Sequence, residues 1–340
     1  MTLTRAEVHG LPKAELHVHL DGSLRPDTML DLAREAGIAV PADTPGGLAD
    51  AMLVRHAHSL EEYLRRYDFT LAVMQTPDAL ERIAYEFVVD AAAEHVRYVE
   101  VRFCPALHRA MRVSQAIEAA LAGLRRAQDE TGTVARVIIC GLRTLPPSVS
   151  EDLARAAVDY RHDGVVAFDL AGSERGHPAA DHARAFEYAA AHGLARTCHA
   201  GEGDGPESIR QAVHVCGAQR IGHGTRLLED PALEAELIER RIPLEVCLTS
   251  NLHTRTVGSV AAHPVRRYMD RGGVVTLNTD SRLMDATSLT DELWLAHTEL
   301  RFTRAEIQRV IINAVEHSFL PTGEREELSR RFQREFADVA

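Results

Sequence analysis

Short apolar runs recur along the chain, and most are followed by a stretch whose apolar residues repeat at helical spacing. The runs are 15–20 (ELHVHL), 97–103 (RYVEVRF), 134–140 (VARVIIC), 165–170 (VVAFDL), 194–199 (LARTCH), 220–223 (RIGH), 242–247 (IPLEVC) and 274–279 (VVTLNT). Several are almost continuously apolar, as parallel strands buried on both faces must be. Eight strand–helix alternations predict an α/β chain folded as a (β/α)8 TIM-type barrel. Helix starts are legible too. Thr76-Pro77 and Asp230-Pro231 each place a capping residue before a proline at the first helical position. The gap between the first two strands holds three further helical patterns, RPDTMLDLAREAG, GLADAMLVRH and SLEEYLRRYDFTLAVM. They predict a helical insertion over about residues 24–95, above the C-terminal mouth where barrel active sites form. Within it Leu60, Tyr63, Leu64 and Tyr67 share one face. That stripe fits either a core-facing surface or a hydrophobic lid over a planar substrate. No linker, low-complexity tract or long charge run interrupts the pattern, so residues 1–340 read as a single domain.

Composition narrows the class. The 340 residues carry 38 Lys plus Arg against 50 Asp plus Glu, a formal net charge of −12. Nucleic-acid backbones and anionic membranes reward clustered basic residues, so neither is expected as a partner. No run approaches the roughly 20 apolar residues of a membrane span. The first residues lack the basic and apolar regions of a secretory signal. Cys104, Cys140, Cys198, Cys216 and Cys247 are odd in number, widely spaced and without a C-x-x-C. They read as small buried hydrophobes in a reduced cytoplasm.

The candidate chemistry lies where the predicted strands end. His17 and His19 stand at i and i+2 near the end of the first run, so both point to one side. His199 ends the fifth run, His223 ends the sixth, and Asp280 follows the eighth. Imidazole nitrogen with carboxylate oxygen suits Zn²⁺. Five such groups at four strand ends have no shared structural purpose, but they can share an ion. A P-loop, a G-x-G-x-x-G and a G-x-S-x-G elbow are all missing.

The motifs LHVHLDGS (16–23), YVEVRF (98–103), DLAG (169–172), HAGE (199–202), IGHG (221–224), SN (250–251), NTD (278–280) and SFLP (318–321) stand in this order. Over about residues 11–321 the sequence resembles the adenosine deaminase family of metal-dependent hydrolases. The resemblance implies one zinc ion per chain, held by His17, His19, His199 and Asp280. It implies Glu202 as the acid that protonates purine N1, with His223 and Asp280 handling the proton of the attacking water. It also implies substrate contacts from His19, from Asp21 to the ribose 5′-hydroxyl, and from the Gly172 N–H to N3. The implied reaction is hydrolytic deamination of adenosine and 2′-deoxyadenosine to inosine and 2′-deoxyinosine with release of ammonia, in purine nucleotide metabolism. The implied partner is a small purine nucleoside.

One position departs from the family pattern. A second aspartate, reading N7, is expected directly after the metal aspartate, and here the residue is Ser281, followed by Arg282. A hydroxyl donates to N7 without needing the extra proton a carboxylate would. It is shorter, so water can bridge the gap. Arg282 fits either an outward ion pair or a reach into the site. The departure keeps other 6-aminopurines open as substrates: adenine, or a 5′-modified adenosine such as aminodeoxyfutalosine. A catalytically inactive nucleoside-binding protein is the reading from outside the enzymes.

Overall fold

All eight runs form strands in the computed structural model, which describes residues 3–54 and 59–338. They are β1 (Lys13–His19), β2 (Val96–Phe103), β3 (Val134–Leu142), β4 (Val165–Ala171), β5 (Ala195–Ala200), β6 (Arg220–His223), β7 (Leu244–Val246) and β8 (Val275–Leu277). Every neighbouring pair is parallel, in the order β1 to β8. An isolated parallel bridge between Val18 and Asp280 joins the last strand to the first and completes the ring. β7 and β8 are shorter than their apolar runs suggest, and Asn278–Asp280 leave β8 as irregular backbone.

The strands form because their apolar residues are buried on both faces: Val99, Val101, Val137, Ile139, Phe168 and Val246 are all completely inaccessible. The helices outside begin as their caps dictate. Thr76 accepts from the Ala79 amide and Asp230 from those of Ala232 and Leu233. Between β1 and β2 lie α2 (Pro26–Ala36), α3 (Pro45–Met52), α4 (Leu60–Leu64), α5 (Tyr67–Val73) and α6 (Pro77–Ala93), after α1 (Arg5–Gly10). The third helical pattern of the insertion is therefore broken in two at Arg65–Arg66. The second pattern runs on into residues 55–58, which lie outside the described residues. The five cysteines are free and buried. No described helix is long and apolar enough to cross a membrane.

Candidate active site

The C-terminal ends of β1, β5, β6 and the segment after β8 converge. Asn278 draws the last of these against the first: its Oδ1 accepts from the Leu16 and His17 amides at 2.9 and 3.1 Å. The His19 amide then donates to the Asp280 carbonyl at 2.7 Å, and the Asp280 amide to the His17 carbonyl at 3.1 Å. This places Asp280 in the left-handed region at φ 60°, a costly conformation for a non-glycine residue that surrounding structure must enforce.

His17, His19, His199 and Asp280 offer donor atoms that all lie within 4.8 Å of one another. Nε2 of His19 and Nε2 of His199 are 3.1 Å apart. Asp280 Oδ1 is 3.4 Å from His17 Nε2 and 3.3 Å from His19 Nε2. Gly222 makes room for this packing, since a Cβ there would lie 2.9 Å from His17 Cε1. The outer nitrogens are spoken for. His17 Nδ1 meets Glu245 Oε2 at 2.9 Å, and His199 Nδ1 meets Asp169 Oδ2 at 3.0 Å. Each carboxylate holds a proton on the outer nitrogen and leaves the inner lone pair free. His17 Nε2 is buried and has no hydrogen-bond partner. Burial lowers the pKa of His19 and His199, so both favour the neutral form that binds metal. For His17, burial and Arg102 act in the same direction, but Asp280 and Glu245 outweigh them and raise it. An orphaned nitrogen among convergent imidazoles and a carboxylate fits a divalent ion.

Arg102 of β2 lies beneath and holds both outer carboxylates, Asp169 at 3.0 Å and Glu245 at 2.9 Å. Glu245 also takes Arg220 at 2.6 Å, and Arg220 reaches Glu100 at 2.6 Å. The sequence motifs contain Asp169 and Arg102, yet nothing in their local pattern reveals this pairing.

Glu202 and His223 stand beside the donor set, with His223 Nε2 3.5 Å from Glu202 Oε2. His223 has φ 62°. Its Nδ1 meets Asn251 Nδ2 at 3.1 Å, while Ser250 donates to Asp280 Oδ2 at 2.6 Å; the SN motif thus serves both. Burial drives the His223 pKa well down. Burial, then the charges of Asp280 and Glu174, drive the Glu202 carboxyl well above the usual range. Glu202 Oε1 is buried without a partner. Glu174, which sequence reasoning missed, accepts from the amides of Gly201, Glu202 and Gly203 at 2.9, 2.8 and 2.8 Å.

A cavity of about 280 Å³ opens onto this group, bounded by Asp21, Gly172, His19, Glu202, His223 and Asp280. Leu60, Tyr63, Leu64 and Tyr67 line its other side, so the stripe on α4 and α5 faces the cavity. Asp21 is buried, its Oδ1 has no partner, and burial lifts its pKa to about 7. Gly172 has φ 92°, a conformation open to glycine at no steric cost. Ser281 is wholly buried, its Oγ 2.6 Å from Tyr67 Oη. Arg282 turns away from the cavity; it pairs with Glu15 at 2.6 Å and lies over the Phe87 ring at 4.9 Å. It is ion-paired, but inward and largely covered.

Such a donor set at the mouth of a parallel barrel defines a class, the barrel hydrolases that work with a divalent ion. The adenosine deaminase family model matches residues 12–334. The chain is 41% identical to an adenosine deaminase of Mycobacterium ulcerans, over 93% of this chain and 92% of that one. It superposes on an adenine deaminase from Arthrobacter aurescens with TM-score 0.89 and 26% identity, covering 95% and 98% of the two chains. A zinc-bound amidohydrolase from Burkholderia ambifaria gives TM-score 0.89 at 27% identity, covering 100% and 95%. The chain belongs to the adenosine deaminase family, and it is a hydrolytic deaminase.

Proposed function

We propose that the chain deaminates adenosine and 2′-deoxyadenosine, with one zinc ion held by His17, His19, His199 and Asp280. When bound, the ion supplies Lewis acidity, which takes the pKa of water from 15.7 to roughly 7. Glu202, protonated because it is buried beside other carboxylates, gives its proton to purine N1 and makes C6 a better electrophile. His223 is kept neutral by burial; because its Nδ1 accepts from Asn251, its Nε2 carries the proton and orients the attacking water, and Asp280 accepts that water's proton. Gly172 offers its N–H to N3. His19 borders the sugar, and Asp21 receives the 5′-hydroxyl.

The observation that carries the reading is the pairing of two buried carboxyl oxygens without partners, Glu202 Oε1 and Asp21 Oδ1, on one cavity. The first serves the base. The second has a use only if a sugar hydroxyl is present, which favours a nucleoside over free adenine. In this reading residues 1–340 form one domain, and α4 and α5 act as the lid over the bound ring. The free, buried cysteines support a reducing, cytoplasmic location. The test is ammonia release from adenosine by the zinc-loaded protein. Glu202→Gln is expected to cost about 10²–10⁴-fold in kcat with zinc content unchanged. No release by zinc-replete wild type would refute the substrate, and an unimpaired Gln variant would refute the acid.

A further inference from the structure

The cavity wall between Asp280 and α5 carries a hydroxyl pair outside the machinery described above. Tyr67 Oη and Ser281 Oγ are 2.6 Å apart. Tyr67 lines the cavity and Ser281 lies behind it. The pair sits on Gly22, where a Cβ would come within 2.6 Å of Ser281 Oγ and 3.0 Å of Tyr67 Oη. Four residues earlier, on α4, Tyr63 donates to Asp285 Oδ2 at 2.8 Å, and Asp285 Oδ1 meets His253 at 2.8 Å. The proton of Tyr63 is thus committed elsewhere. When the serine hydroxyl donates to Tyr67, the Tyr67 proton is free to point into the cavity. The phenol keeps that proton at neutral pH, since an ordinary tyrosine ionises only at about pH 10.

The chemistry of a 6-aminopurine shows where such a donor is useful. The reacting carbon is flanked by N1 on one side and, on the other, by the bridging carbon bonded to N7. Glu202 lies on the His223 side of the donor set. With N1 turned to Glu202, the five-membered ring faces away from that carboxyl, towards the His19 side of the cavity. Tyr67 stands there: its ring centroid is 6.2 Å from that of His19, and its hydroxyl partner is the residue after Asp280. N7 can only accept, so its partner must donate. Building on the aminopurine reading, we propose that Tyr67 contacts the substrate and donates to N7, and that Ser281 is the positioning residue that holds its hydroxyl. Together they select rings with an acceptor at that edge.

The test compares adenosine with 7-deazaadenosine, in which N7 is replaced by C–H, on zinc-loaded wild type, Tyr67→Phe and Ser281→Ala. Wild type is expected to prefer adenosine by about tenfold or more in kcat/KM, since a site built to bond a group rejects the analogue lacking it. Tyr67→Phe is expected to lose about tenfold on adenosine, mainly in KM, and to stay within about twofold on the deaza analogue. Ser281→Ala gives a smaller loss in the same direction. The proposal falls if Tyr67→Phe lowers both substrates by one factor. It falls equally if wild type is indifferent to N7, a comparison that needs no variant to fold. A wild type that deaminates neither nucleoside overturns the substrate reading and this inference together; one that deaminates both equally overturns this inference alone.

Discussion

Glu174 accepts three consecutive backbone amides, and in doing so it acts twice on Glu202. It fixes the loop that presents the side chain, and its negative charge helps keep that side chain protonated, after burial and Asp280. Glu202 can act as an acid only while it holds its proton. Activity should therefore persist above about pH 4.3, where an ordinary glutamate ionises, and decline as pH rises through the elevated value. Glu174→Gln removes one of the charges that raise it, so the alkaline limb of kcat/KM is expected to move to lower pH; a limb that stays in place or moves up would contradict the assignment. His17, His19, His199, His223 and Asp280 were legible in the sequence as candidates because each lies at or just beyond a strand end, and Glu202 through the resemblance carried by HAGE. Glu174 was not, because its partners lie 27 to 29 positions away and only the folded loop turns their amides towards it. Ser281 was legible as a departure, but its link to Tyr67 spans 214 positions and has no local signal.

Among the strands, Arg102 joins elements that share no sequence pattern. From β2 it holds Asp169 on β4 and Glu245 on β7, and these hold His199 on β5 and His17 on β1. Burial opposes the charge of both carboxylates, yet their pKa values lie well below the usual range: His199 and Arg102 outweigh it at Asp169, and Arg102 and Arg220 at Glu245. The stability they contribute is fully present above the unfolded values near 4. It is lost as pH falls through the lowered folded values. Arg102→Met raises those folded values, so acid unfolding should begin at a higher pH. Taking one cationic partner from two buried carboxylates should also cost about 3–5 kcal/mol, and loosening both imidazoles should weaken metal affinity by about 10–100-fold. Urea titration and metal retained after dialysis would measure these; a variant with wild-type values in both would refute the role. Strand existence was legible because burial on two faces demands apolar runs. The break between α4 and α5 was not, because the spacing of Leu60, Tyr63, Leu64 and Tyr67 continues through Arg65–Arg66 as if one helix ran on.

For the whole molecule, the barrel is closed by contacts rather than by a long ladder: the Val18–Asp280 bridge, and Asn278 reaching across to β1. An ion shared by His17, His19, His199 and Asp280 would fasten the same seam. Chelation is expected to abolish turnover and lower the melting temperature, with both restored by added zinc. At a free ion concentration 1,000 times Kd, bound metal contributes about 4 kcal/mol. Calorimetry with and without chelator would show this, and an unchanged melting temperature would argue against an ion at the seam. The seam also sets a timetable. Leu16 and Asn278 are 262 positions apart, so a ribosome adding about 5–20 residues per second needs roughly 13–50 s to travel from one to the other. Throughout that interval the nascent chain has its first two histidines but no partner aspartate. With the proposed donor set, deamination is withheld until Asp280 has been made, and a chain terminated before that residue lacks the fourth donor.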